Sequence, residues 1–119
     1  MNTVFDFAAS LKPTALQPYG LPTFRTSSEA IAAYRGDDQI YALYPRKIEA
    51  AARLFLGGFP GHVLYAVKAN PAPDLIEVLW DAGVTHFDVA SIAEVRLVRA
   101  ALPEAELCFM HPIKRRRAI

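Results

Sequence analysis

Five apolar or aromatic residues, Val63-Leu64-Tyr65-Ala66-Val67, run without a break into Lys68, and Asn70-Pro71 stops the run. No other stretch constrains the fold as tightly. A short continuous apolar run bounded by turn residues reads as a strand buried on both faces, as parallel sheets covered by helices require. Lys68 then sits just past the carboxyl end of that strand. Side chains alternate along a strand, so Lys68 is expected to share a face with Leu64 and Ala66. Ala66 is small and leaves room beside the amine for a flat ring. Two readings of Lys68 stand. The plain one is a solvated lysine that ends a strand. The chemical one is a desolvated amine at the mouth of a parallel sheet, where burial disfavours the ammonium and frees a nucleophile for Schiff-base chemistry.

The chain around this stretch alternates between two periods. Pro45 suits the first turn of a helix, Ile48, Ala51, Ala52 and Phe55 follow at helical spacing, and Gly57-Gly58 ends it. After the strand at 63–67, a second helix starts near Pro73-Asp74, carries Leu75, Val78, Leu79 and Ala82 on one face, and stops at Gly83. A strand at 84–87 reaches Asp88. A third helix opens at Ser91 and runs through Ile92, Val95 and Val98 to about Leu102. A third strand at 106–110 ends at His111-Pro112. Strands alternating with helices mean βαβ units and a parallel sheet, so the fold class is α/β. Asp88 lies 20 residues after Lys68, and His111 lies 23 after Asp88. Each follows the carboxyl end of a strand, which is the chemical face of parallel sheets and barrels. Lys68, Asp88 and His111 are therefore expected around one rim.

Residues 1–38 read as an irregular lead-in. Pro13, Pro18, Gly20 and Pro22 argue for extended structure over 11–22. Ser27 or Ser28 starts a short helix ended by Gly36, and a strand follows at 39–44. Residues 39–119 form the second region. Only three parallel strands follow the lead-in, whereas a closed eight-stranded barrel needs about 250 residues. The sequence thus reads as the opening of a larger protein.

Composition removes several classes. The chain has 119 residues, 53% of them hydrophobic, and a formal net charge of +1. That balance asks for neither nucleic acid nor an anionic membrane. The basic run Lys114-Arg115-Arg116-Arg117 has no interleaved aromatics and reads as a solvated helix start or a contact with further sequence. Cys108 is the one cysteine, so no internal disulfide exists and a reducing compartment is expected. No stretch approaches the roughly 18 apolar residues of a membrane span, and the start lacks a basic signal region, so a cytoplasmic location is expected. His62, His86 and His111 are not spaced as a metal site. His62 lies before its strand, and His86 reads as a core or barrel-interior residue. Gly57, Gly58 and Gly61 lack both nucleotide-loop spacings.

Ser91 and Glu94 have the spacing of a helix capping box, which accounts for both without chemistry. Asp88 lies outside that box. Rim solvation or a loop hydrogen bond explains it as well as a role beside Lys68 does. His111 reads first as structural.

Three motifs then stand in order: Tyr65-Ala66-Val67-Lys68-Ala69-Asn70-Pro71, Phe87-Asp88-Val89-Ala90-Ser91-Ile92-Ala93-Glu94, and Met110-His111-Pro112-Ile113-Lys114. Together, over residues 39–119, they resemble the N-terminal third of the fold-type III pyridoxal-phosphate decarboxylases, which act on ornithine, lysine, arginine or diaminopimelate. The Phe-Asp-Val-Ala-Ser form resembles the ornithine branch. The resemblance implies the first βα units of an alanine-racemase-like (β/α)8 barrel, incomplete in this chain, with pyridoxal 5'-phosphate as cofactor. It implies that Lys68 links covalently to the cofactor, that Ala66 lines its ring, and that Asp88 and Glu94 lie nearby. It also implies loss of the α-carboxylate from a basic amino acid, L-ornithine foremost, giving a diamine such as putrescine or cadaverine for polyamine biosynthesis, and a homodimer in the full-length protein. The glutamate on the pyridine nitrogen, the phosphate loop, the ring-stacked histidine and the C-terminal β-domain are expected later in a longer chain. This chain alone is expected not to decarboxylate. The alternatives are a decarboxylase-like protein that binds partners without catalysis, a remnant, a lysine or diaminopimelate decarboxylase, and an amino acid racemase.

Overall fold

The structure, a computed structural model, describes the backbone of residues 3–7 and residues 21–34, 36–37 and 39–113 in full. The Lys114–Arg117 run and residues 11–20 lie outside the described residues. The chain forms two compact units, Met1–Lys47 and Ile48–Ile119.

The first unit is built on a parallel sheet of order β2-β1-β3, with β1 at Thr3–Phe7, β2 at Thr23–Phe24 and β3 at Ile40–Leu43. Two of these strands, β1 and β2, fall where the sequence pointed to irregular structure. Their shortness hides them, since two or five residues carry too little alternation to read. Helix α1 spans Ser27–Ala33 and is capped by Thr26, not by Ser27 or Ser28. Thr26 Oγ1 accepts from the Glu29 N–H at 3.2 Å, and Glu29 reaches back to the Arg25 N–H at 2.9 Å. The Thr-x-x-Glu spacing decides the start, because the pair satisfies two orphan donors at once.

The second unit carries the regular pattern. Helix α2 spans Pro45–Gly58, β4 Leu64–Ala66, α3 Pro73–Asp81, β5 His86–Asp88, α4 Ile92–Ala101 and β6 Glu106–Cys108. The sheet order is β4-β5-β6, all parallel, in the register Tyr65↔Phe87↔Leu107 and Ala66↔Asp88↔Cys108. Two successive βαβ units result. Phe87, at the centre of β5, is 0% exposed, and Val67, Ile76, Val78, Val84, Val89 and Val98 are buried around it. Burying a side chain of this kind contributes about 1.5–3 kcal/mol. Helix α3 ends in a Schellman turn. Gly83 takes φ 103°, its N–H donates to Trp80, and the Val84 N–H donates back to Leu79 at 3.0 Å. No helix among the described residues is long and apolar enough to cross a membrane.

Two expectations about the central run need correction. The strand stops at Ala66, and Val67–Ala69 forms one turn of 3-10 helix. The alternation that was to place Lys68 on a face with Leu64 and Ala66 therefore does not reach it. Nor is the strand buried on both faces, since Leu64 remains 36% exposed. The cause is a hollow of about 390 Å³ lined by apolar residues of α2, β4 and α3, among them Ala51, Phe55, Leu64 and Leu79. Of the stripe Ile48, Ala51, Ala52 and Phe55, only Ala52 is buried.

Candidate active site

Lys68 is placed by the turn that interrupts the strand. Val67 plugs the core at 0% exposure and fixes the start of that turn. The turn is closed from the side by Tyr65, whose hydroxyl donates to the Asn70 carbonyl at 3.1 Å. The Tyr65 ring meets Phe87 edge-on at 6.4 Å. Burial pushes the Tyr65 phenol above its ordinary pKa, and the Asn70 hydrogen bond only partly offsets this, so the hydroxyl keeps the proton it donates. Asn70 Oδ1 in turn accepts from the Ala72 N–H at 3.0 Å, leading the chain into α3. Lys68 therefore stands on a braced loop with its side chain exposed. The expectation of a desolvated lysine does not hold in this structure, because leaving the strand one residue early lifts the side chain out of the sheet.

Asp88 ends β5 and is half-buried. Its Oδ1 accepts from the Met110 N–H at 3.4 Å, a long bond across to the segment after β6. The Val89 N–H donates to the Cys108 carbonyl at 2.9 Å and ties the same two segments more firmly. His111 follows two residues after Phe109, with Nδ1 3.0 Å from the Ile113 carbonyl oxygen and 3.2 Å from the Ile113 nitrogen.

These groups meet. Lys68, Asp88 and His111 line one pocket of about 160 Å³, completed by Ala90, Met110 and Pro112. The rim predicted from the spacing of three strand ends is thus present, with an amine, a carboxylate and an imidazole around it. Among the described residues no ion pair joins Lys68 to Asp88. The amine is accessible, and the carboxylate is close enough to share the cavity.

Ala66 and Glu94 are not among the residues lining this pocket. Ala66 is the half-buried last residue of β4, beside Asp88 in the sheet register. Glu94 is held in the cap of α4, where its N–H donates to Ser91 Oγ at 3.2 Å. Its Oε1 accepts from the Ser91 hydroxyl at 3.2 Å, and its Oε2 from the Ala90 N–H at 2.8 Å. Both carboxylate oxygens are engaged, as the capping-box spacing required. Tyr65, Ala90 and Met110 contribute to the site without having been singled out for it from sequence. The Tyr65 tie to Asn70 had one legible signal, a tyrosine preceding an Asn-Pro stop.

The apolar hollow is larger than this pocket. Its one titratable lining group is Tyr65, whose hydroxyl is already committed to Asn70. The smaller, polar pocket is where chemistry has the groups it needs. Neither pocket has a set of metal ligands, since no group of three histidine, cysteine, aspartate or glutamate side chains that could hold an ion occurs among the described residues.

The donor set fits an aldehyde cofactor. An accessible primary amine can condense with it, a carboxylate can balance the resulting positive charge, and Ala90, Met110 and Pro112 give apolar walls for a flat ring. Comparison with known proteins agrees. The family described as pyridoxal-dependent decarboxylase, pyridoxal binding domain, matches residues 45–119. A lysine/ornithine decarboxylase of Selenomonas ruminantium is 34% identical over 58 residues, which cover 48% of this chain and 14% of that protein. No solved structure matches the chain at a significant level. The α/β units seen here are the βα units of the family's pyridoxal-binding domain, its cofactor is pyridoxal phosphate, and the chain belongs to the pyridoxal-dependent decarboxylases of the fold-type III class.

Proposed function

We propose that this chain supplies the cofactor-anchoring part of a decarboxylase that acts on a basic amino acid, converting L-ornithine to putrescine. The observation that carries the reading is Lys68 beside Asp88 in one pocket at the carboxyl ends of β4 and β5, within a stretch that matches the pyridoxal-binding domain. Pyridoxal phosphate, when bound, supplies a ring that accepts the electron pair left as an α-carboxylate departs as carbon dioxide. The chain's own residues do the rest of what is assigned here. Lys68 provides the amine that attaches to the aldehyde carbon. Asp88 holds positive charge at that nitrogen. Tyr65 and Asn70 keep the Lys68 turn in place, and the Ser91–Glu94 cap fixes the start of α4 next to the pocket. Ornithine is preferred over lysine because the Phe87-Asp88-Val89-Ala90-Ser91 form resembles the ornithine branch, and the Selenomonas relative is named for both substrates. A homodimer belongs to the same proposal, carried by family resemblance.

The test is an assay of the native gene product with ornithine and lysine as rival substrates, in the presence of pyridoxal phosphate. Putrescine released faster than cadaverine supports the proposal. Equal release assigns the broader specificity carried in the relative's name. Lys68 labelled by the cofactor with no diamine from either substrate favours a partner-binding protein that has kept its cofactor lysine.

A further inference from the structure

The Lys68 pocket contains a histidine whose ring is held by its own loop. His111 Nδ1 faces both main-chain groups of Ile113, the carbonyl oxygen at 3.0 Å and the N–H at 3.2 Å. A neutral ring with its proton on Nε2 accepts from the Ile113 N–H, and an imidazolium donates Nδ1–H to the Ile113 carbonyl. One anchor therefore serves both charge states, and in both of them Nε2 bears a proton. Pro112, between the two residues, limits the turn that joins them. The ring is exposed on its loop and yet lines the pocket with Lys68 and Asp88.

We propose that His111 is a positioning residue of this pocket, and that it holds an oxyanion of the bound ligand through Nε2–H. The inference rests on the proposed function, because the ligand meant is the one captured at Lys68. Among the described residues, the charged groups facing His111 across the pocket are Lys68 after β4 and Asp88 at the end of β5. No titratable group of α3 or α4 lines the pocket. With a neutral ring the two charges offset each other, and with an imidazolium the walls carry net positive charge. An oxyanion favours the second state. Two oxyanions are available to such a ligand, the phosphate of the cofactor and the α-carboxylate of the amino acid.

The experiment compares the full chain with His111→Leu, which removes the donor, and His111→Gln, which keeps an N–H. Affinity is read from the absorbance of the lysine-linked cofactor at one fixed pH. The probes are pyridoxal phosphate against pyridoxal, and ornithine against putrescine. A phosphate contact weakens pyridoxal phosphate about tenfold in His111→Leu and leaves pyridoxal unchanged, as loss of one hydrogen bond to a charged group requires. A carboxylate contact does the same to ornithine and spares putrescine. In either case His111→Gln recovers most of the loss, which a merely structural role of the ring would not allow. Unchanged affinity for all four probes overturns the inference, as does an equal loss for the members of each pair with and without the oxyanion. A labelled Lys68 with unmoved affinities sinks this inference alone, whereas an unlabelled Lys68 sinks the proposed function and this inference with it.

Discussion

The two ends of the β4-β5-β6 sheet use similar residues to different effect. At the carboxyl ends Lys68, Asp88 and His111 open onto a pocket. At the amino ends His62 and His86 stack on each other with ring centroids 4.5 Å apart, and His86 Nδ1 lies 2.9 Å from Thr85 Oγ1. Two histidines are thus spent on each other and the third on a cavity wall. The difference lies in the chain connections. Residues at and just after the carboxyl ends of the strands line a pocket, while those at the amino ends bring one ring onto another. Polar side chains are common at both ends of a parallel sheet. What marks the chemical end is that its polar groups face a space.

The comparison fails altogether if the strand between the two ends fails. Phe87→Ala removes the fully buried ring at the centre of β5 and should cost about 3–5 kcal/mol. Chemical denaturation should then show loss of cooperative unfolding together with loss of cofactor labelling. Tyr65→Phe sharpens the comparison at the carboxyl end. It deletes the hydroxyl that closes the Lys68 turn onto Asn70, and the expected cost is about 0.5–1.5 kcal/mol, with slower labelling of Lys68 by pyridoxal phosphate. His62→Ala is its counterpart at the amino end. It removes one ring of the stack, should cost about 0.5–1 kcal/mol, and should leave the labelling rate of Lys68 unchanged.

The smallest effect concerns α3, which packs beside the sheet without touching the polar pocket. Burial raises the Glu77 pKa above the ordinary carboxylate value, and repulsion from Asp74 and Asp81 adds to the rise. The folded state therefore binds a proton more readily than the unfolded chain. Stability attributable to this group falls as pH rises through the window between the ordinary and the raised value, and the penalty is complete above that window. Glu77→Gln should stabilise the protein at neutral pH by about 0.2–0.5 kcal/mol, the scale of like-charge pairs on a helix, and the gain should vanish in acid. Thermal melts at neutral and acid pH check both halves.

Much of this second unit was legible because its signals are local. Pro45 and Pro73 open α2 and α3, Gly83 closes α3, and the Ser91–Glu94 spacing opens α4. The rim of Lys68, Asp88 and His111 followed from three strand ends at similar spacing, and the pocket they line agrees with it. What could not be read depends on contacts distant in sequence. Strand β1 is hidden in the sequence because its pairing with β2 and β3, not its own pattern, makes it a strand. The turn at Val67–Ala69 looks like more strand in sequence, since Val67 is apolar for a reason of its own. It fills the core, and the chain bends around it. The exposure of Phe55 and Leu64 was equally hidden, because periodicity reports which face is apolar and not whether anything fills the space before it.

The central claim is that Lys68 is the cofactor lysine. The measurement that tests it most directly is treatment of the full chain with pyridoxal phosphate and borohydride, followed by peptide mapping over Lys12, Lys47, Lys68 and Lys114. The account predicts label concentrated on Lys68 and abolished there by Lys68→Ala, a change at an exposed position that should shift stability by no more than about 0.5 kcal/mol. Label spread evenly over the four lysines, or absent from Lys68 in a folded chain, would contradict it.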